Sequence, residues 1–427
     1  MLVRFAVENF RSIRNRVDVS FLATRRREEP SLVFESRPPN NLRILPVMGI
    51  WGPNASGKSN ILVALRAIRM LIDGSFREPR PDAKVAWEPW RLAFVPGKPG
   101  RAELEFLFED DALLSFGFEV DGTGFSSEWL HRYVGKRRQV VYERERAGDG
   151  AEAKDVWRFG RLLGRRRRLA ELAEATRANA LFLSTAGQLN EPLLRRVQSA
   201  VGYNFNFERP LSLQGFPIFG EGDPILDREF RPALVRVLGA ADLGIKKVDV
   251  AEVELPRNLF TKLQPAPAIP QFELRMTRAG DTDADDWHLG PEHESQGTNI
   301  LLARLSDIRN ALRHGQLLVA DEIDTSLHPD LCAALVGLFT DPRTNPKGAQ
   351  LLFATHSRDL LTRLRSDEVL LVEKGPDGST TAASAAEFKT AGGRGGLRRA
   401  HELGRVGAVP LLGDIADAFT SEHDVEE

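Results

Sequence analysis

The sequence predicts an α/β protein with a mixed, largely parallel central sheet flanked by helices. Three observations carry that expectation. Residues 43–71 run from an apolar strand-like stretch through a glycine-bearing loop into an amphipathic helix. From 295 to 372 short apolar runs alternate with helix-period segments, the pattern of βα units on a parallel sheet. Between 87 and 145 the period drops to two, which adds an antiparallel meander.

MLVRFAVENF sets Leu2, Val3, Phe5, Val7 and Phe10 against Arg4, Glu8 and Asn9, and reads as a strand. Val17–Phe21 reads as a second strand and Arg25–Glu29 as a charged break. Arg43–Trp51 (RILPVMGIW) reads as one buried parallel strand. Ser59–Leu71 is helical, with Ile61, Leu62, Ala64, Leu65, Ile68 and Leu71 on one stripe. AELEFLFED, SFGFEVD and QVVYERE alternate with period two between glycine-containing turns. This meander is expected to cover one side of the first strands. Residues 169–182 and 190–202 read as helices, 205–245 as mixed structure, and the proline-rich Leu255–Gln271 as a loop or linker. Residues 281–294 hold six acids and no Lys or Arg. Beyond 295, helices at 298–313, 329–340 and 358–365 alternate with strands at 316–320, 350–354 and 369–372. No repeat or heptad is present, and the polar tail Thr420–Glu427 is expected to fray.

Composition bounds the function. The chain has 427 residues, so about 150 per domain gives two to three domains. Apolar residues make up 42%, enough for a sizeable core. Lys and Arg number 58 against 60 Asp and Glu, which excludes a globally basic nucleic-acid binder but not a local basic patch. One such patch is 131–168, with 13 Lys/Arg and 5 Asp/Glu. It reads either as a solvated face or as a surface for DNA, RNA or a protein partner. The single cysteine, Cys332, excludes an internal disulfide and a cysteine zinc site. It is expected to be a buried residue of the helix after Pro329. No run of 18 apolar residues occurs and the charged start lacks a signal-peptide core, so a cytoplasmic protein without membrane contact is expected.

Residues 52–59 read GPNASGKS, the pattern G-x-x-x-x-G-K-[ST] between a strand and a helix. Gly52 and Gly57 let the loop wrap a phosphate without Cβ clashes. Between Pro53 and Asn60, the main-chain N–H groups of Asn54, Ala55, Ser56, Gly57, Lys58 and Ser59 and the N-terminus of the following helix point at an anion. Lys58 places a cation between the β- and γ-phosphates, and the Ser59 hydroxyl can ligate Mg²⁺. The expected ligand is therefore a nucleotide phosphate, with Mg²⁺.

LLVADE (317–322) is an apolar strand ending in two acids. A strand beside the phosphate loop would deliver Asp321 to Mg²⁺, directly or through water. Glu322 would polarise an attacking water. QLLFATH (350–356) is a second such strand, and His356 could hydrogen-bond the γ-phosphate. ESQGT (294–298) opens a helix, so Ser295, Gln296 and Gly297 form a second anion cradle. Two cradles with one nucleotide suggest a head-to-tail dimer, each Ser295–Gly297 segment closing on the other subunit's γ-phosphate.

GPNASGKS, ESQGT, LLVADEID and TH, in that order, resemble an ABC-type ATPase head of the RecF, SMC and OLD kind. VENFRSI (7–13) is similar to the first strands of those heads. Closer still are prokaryotic AAA ATP-binding proteins allied to OLD-family and abortive-infection ATPases. That resemblance adds Trp87–Pro89, ALFLSTAGQLN (180–190), ADEIDTSLHP and LGRVGAVP (403–410), and spans nearly the whole chain.

The resemblance implies Walker A roles for Lys58 and Ser59, Walker B roles for Asp321 and Glu322, and the signature role for Ser295, Gln296 and Gly297. It gives Asp324 the D-loop role and His356 the switch role. It divides the chain into an N-terminal head half (1–75), a β subdomain (76–150), a helical or irregular insertion (151–270) and a C-terminal head half (271–427). The signature departs from the Leu-Ser-Gly-Gly-Gln of transporter heads. No coiled-coil insertion is present. Only 71 residues follow His356, too few for the Toprim domain of OLD nucleases, so a nuclease or toxin effector is expected as a separate protein. The implied activity is ATP hydrolysis by a homodimer or higher homo-oligomer acting as sensor or switch in antiviral defence. A RecF-like repair ATPase and a nucleotide-gated scaffold with little hydrolysis are the alternatives.

Overall fold

The computed structural model describes residues 1–24, 32–78, 80, 83–91, 98–148, 154–209, 219–220, 223–241, 245–253, 271–278, 287–290, 293–388, 393–403 and 406. Arg25–Glu29, most of the proline-rich and acidic segments, the tail and most of LGRVGAVP lie outside the described residues.

Strands β1 (Leu2–Glu8), β2 (Val17–Ser20), β3 (Phe34–Glu35), β4 (Arg43–Ile44) and β5 (Val47–Trp51) precede helix α1 (Lys58–Gly74). Next come β6 (Gly100–Phe108), β7 (Ala112–Asp121), β8 (Gly124–Val134), β9 (Arg137–Ala147) and β10 (Lys154–Phe159). Helices α2 (Arg166–Glu174), α3 (Phe182–Gln188) and α4 (Pro192–Asn204) lead to β11 (Phe205–Phe207), β12 (Phe219–Gly220), α5 (Arg231–Ala240), β13 (Ile245–Val253), β14 (Gln271–Arg278) and β15 (Trp287–Leu289). The last part holds α6 (Gln296–His314), β16 (Leu317–Ala320), α7 (Pro329–Thr340), β17 (Gln350–Thr355), β18 (Val369–Lys374), β19 (Thr380–Ser384) and α8 (Gly393–Glu402).

The first sheet runs β11-β16-β17-β5-β18-β19 and is parallel except at β19. Its central strands are buried along their whole length, as a sheet covered on both faces requires. Alternate residues face two separate cores. Met48, Ile50, Leu317, Val319, Leu352 and Ala354 pack with α1, α4 and the antiparallel sheet. Val47, Trp51, Leu318, Ala320, Leu351 and Phe353 pack with α6 and α7. Cys332 is buried in α7, as expected.

The second sheet, β10-β9-β8-β7-β6-β1-β2, is antiparallel throughout. The meander does not cover a face of the first strands: β6 pairs edge to edge with β1, so β1 and β2 continue it. Gln350 joins the two sheets, accepting from Leu2 N at 2.7 Å and donating to Leu2 O at 2.9 Å.

Four local readings are corrected. Arg43–Trp51 is two strands, because Pro46 has no N–H to continue a ladder. Residues 169–182 are not one helix. Buried Glu128 accepts from the Phe182 and Leu183 N–H groups and from Tyr142, which starts a new helix there. Residues 358–365 form a 3₁₀ turn at Asp359–Thr362, followed by another at Ser366–Glu368. Extended Arg365, paired with Asp367 at 2.7 Å, separates them. The β12–β15 sheet was not anticipated; its main strands, β13 and β14, pair across the proline-rich segment.

The basic segment is not one face. Arg144 is fully buried, bound to Asp155 at 2.7 Å and to the Ala180 carbonyl. Arg158 pairs with Glu143 at 3.2 Å, and Arg167 and Arg168 each reach Glu171 at 3.5 Å.

Candidate nucleotide site

The loop between β5 and α1 is built for close approach. Gly57 caps α1 at φ 109°, a backbone that L side chains rarely adopt. A Cβ there would lie 2.0 Å from Thr380 Oγ1. Asn54, Ala55 and Ser59 are exposed, whereas Ser56 and Lys58 are buried. The Lys58 ammonium donates to Gly52 O at 2.9 Å and Pro53 O at 3.1 Å.

A polar chain fixes the loop from beneath. Thr380 Oγ1 donates to Ser56 O at 2.8 Å, so its contact with Ser12 Oγ at 2.7 Å is donated by Ser12. Asn60 Nδ2 in turn donates to Ser12 at 2.7 Å. Thr380 N also donates to Ser12 O, which ties β19 to the turn after β1. Sequence reading missed Ser12 and Thr380 as support residues. Their only signal was the position of Ser12 inside VENFRSI.

The acids lie at the carboxyl end of the same sheet. β16 is not adjacent to β5, because β17 lies between them. The strand ending at His356 is thus the phosphate loop's direct neighbour, and the acids are one strand further away. Asp321 and Glu322 are exposed, and Glu322 has a left-handed φ of 46°. Its Oε2 accepts from Thr325 Oγ1 at 3.1 Å. Thr355 Oγ1 donates to Asp324 Oδ1 at 2.6 Å, linking the turn after Glu322 to the strand before His356. The Trp51 indole donates to Ser357 O at 2.9 Å and holds the exposed His356 turn at the end of β5.

Electrostatics joins the two halves. Burial lowers the Lys58 pKa, and the carboxylates of Asp321, Glu322 and Asp324 act to raise it. A cavity of about 230 Å³ lies against Asp321, Glu322, Thr325, Glu208 and Arg304.

The Ser295–Gly297 segment is placed differently. Ser295 caps α6, its Oγ accepting from Thr298 N at 3.1 Å. Gly297 packs on the turn after Asp324, where a Cβ would lie 2.8 Å from Ser326 O. Ser295 and Gln296 are exposed. The fold therefore gathers Lys58, Asp321, Glu322 and Asp324, puts His356 on the adjoining strand end, and directs Ser295–Gly297 at the Ser326 turn.

A family model described as "AAA domain, putative AbiEii toxin, Type IV TA system" matches residues 47–184 and 218–363. The chain belongs to this AAA-domain family. The matched blocks contain the loop 52–60, Ser295–Gly297, Asp321, Glu322, Asp324 and His356. No curated protein matches this AAA chain. Similar solved structures include the Smc head bound to the C-winged helix domain of ScpA, at 15% identity and TM-score 0.39. Another is the recombination mediator RecF with ATP, at 15% identity and TM-score 0.36. Each alignment covers 90% of this AAA chain and 97% of the other.

Proposed function

We propose that the chain binds ATP at residues 52–60, hydrolyses it with Glu322, and closes on ATP as a head-to-tail homodimer or higher homo-oligomer. The carrying observation is that the loop with buried Lys58 follows β5 and the acids Asp321, Glu322 and Asp324 follow β16, at the carboxyl ends of parallel strands of one sheet.

The residues fit ATP and Mg²⁺. Gly57 takes the left-handed backbone that turns the loop into α1, and the buried Ser56 hydroxyl has no hydrogen-bond partner among the described residues. Ser59 and Asp321 would hold Mg²⁺, whose contribution is to neutralise phosphate charge. Lys58 would leave the Gly52 and Pro53 carbonyls for the phosphates. Glu322, whose carboxylate accepts from the exposed Thr325 hydroxyl, would take the proton of the attacking water. His356 would donate to the γ-phosphate. The exposed start of α6 would close the other subunit's site through Ser295, Gln296 and Gly297.

We read the chain as a sensor or switch in prokaryotic anti-phage defence, beside a separate nuclease or toxin effector; the support is a family description that names a putative AbiEii toxin and a type IV TA system. A RecF-like repair role would draw on 131–168 as a DNA or RNA surface. On that surface Arg158 pairs with Glu143, and Arg167 and Arg168 share Glu171. Among the described residues no helix is long and apolar enough to cross a membrane.

The test is ATP turnover by Glu322→Gln. ATP affinity should persist while hydrolysis falls by about 10²-fold or more, the usual contribution of a positioned base. Turnover equal to wild type would overturn the assignment.

A further inference from the structure

Glu322 occupies left-handed backbone, which a non-glycine residue holds only when its surroundings fix it. Two side chains outside the nucleotide loops do so. Arg304, on α6, is buried and donates to Glu322 O at 2.9 Å. Its Nε lies 3.0 Å from Glu208 Oε1. Glu208 is itself registered on the strand before these acids, its N–H bonded to Val319 O at 2.9 Å. The ion pair therefore ties the Glu322 carbonyl back to Glu208, which is registered on Val319, so the chain is held on both sides of Asp321 and Glu322, the two residues assigned to metal and water.

We propose that Arg304 and Glu208 are positioning residues that act through Glu322. Neither is required for ATP to bind, and neither supplies the proton acceptor. They fix the peptide on which that acceptor is mounted. The inference rests on the assignment of Glu322 as the base. The physical reason to expect a rate effect is steep geometry: a misplacement of roughly 1 Å at a reacting group can cost about 10²-fold.

The test is a double-mutant cycle with Mg-ATP as substrate and the full chain as enzyme. Arg304→Met should lower kcat by about 10-fold or more while KM and the affinity for ATP stay within about threefold. Arg304→Met combined with Glu322→Gln should be no slower than Glu322→Gln alone, because the arginine has no other route to the chemistry. Losses that multiply in the double variant, or a wild-type kcat in Arg304→Met, would overturn the proposal. If Arg304→Met fails to fold, Arg304→Lys carries the test. Lysine keeps a cation for Glu208 but cannot span both partners, so kcat should fall at an unchanged melting temperature and KM. A wild-type kcat there would overturn the proposal equally. Glu322→Gln alone separates the premise: normal turnover in that variant removes the base itself, whatever Arg304 does.

Discussion

Thr380 Oγ1 donates a 2.8 Å hydrogen bond to the carbonyl of Ser56, joining the last strand of the parallel sheet to the phosphate loop across 324 positions of chain. Thr380→Val keeps the shape and removes the donor. It leaves the buried Ser56 carbonyl and the Ser12 hydroxyl without this partner, at a cost of about 1–3 kcal/mol. Denaturant melts should show that loss, and ATP affinity should fall with it. Unchanged stability and affinity would mean the loop does not depend on this strand.

Lys58→Ala should abolish measurable ATP binding while preserving the fold. The lysine's hydrogen bonds are to carbonyls of the phosphate loop itself, Gly52 and Pro53, rather than to groups of either apolar core. A fluorescent ATP analogue with matching circular dichroism checks both halves of the statement. Unchanged affinity would remove the phosphate loop from the account.

Acid stability should depend on Glu103. Burial alone would raise its pKa, but hydrogen bonds from Arg16 and Arg101 outweigh burial and bring it from 4.5 down to about 2. A depressed folded-state pKa stabilises above the unfolded value and is lost as pH falls through the folded one. The difference in melting temperature between wild type and Glu103→Gln should therefore be full above about pH 4.5 and shrink towards pH 2. A difference that stays constant with pH would contradict this.

Cys332 should be inert in the folded protein. Burial, helped by Asp324, pushes its thiol up to about 12. Iodoacetamide at pH 8 should label it only after unfolding. Rapid native labelling would show that α7 opens.

Much of the site was legible because its parts are local. Buried parallel strands and a period-3.6 helix announce themselves, and the loop at 52–59, the acids at 321–322 and His356 each sit at the end of such a run. The fixing residues are not local. Ser12, Thr380, Glu208 and Arg304 are single polar residues brought in from 12 or more positions away, and no periodicity marks them. Strand order was misjudged for a similar reason: nothing in LLVADE says that QLLFAT will insert between it and β5. The breaks at 175–181 and at Arg365 follow from buried carboxylates, Glu128 and Asp367, whose demand for donors appears only when the chain is folded.

The central claim is that intact ATP bridges two copies through Ser295–Gly297 of one and Lys58 of the other. The direct measurement is molar mass by light scattering on Glu322→Gln, with and without Mg-ATP. The account predicts that ATP at least doubles the mass, and that adding Ser295→Arg to this variant abolishes the increase while single-subunit ATP binding persists. A mass indifferent to ATP, in a protein shown to bind it, would contradict the account.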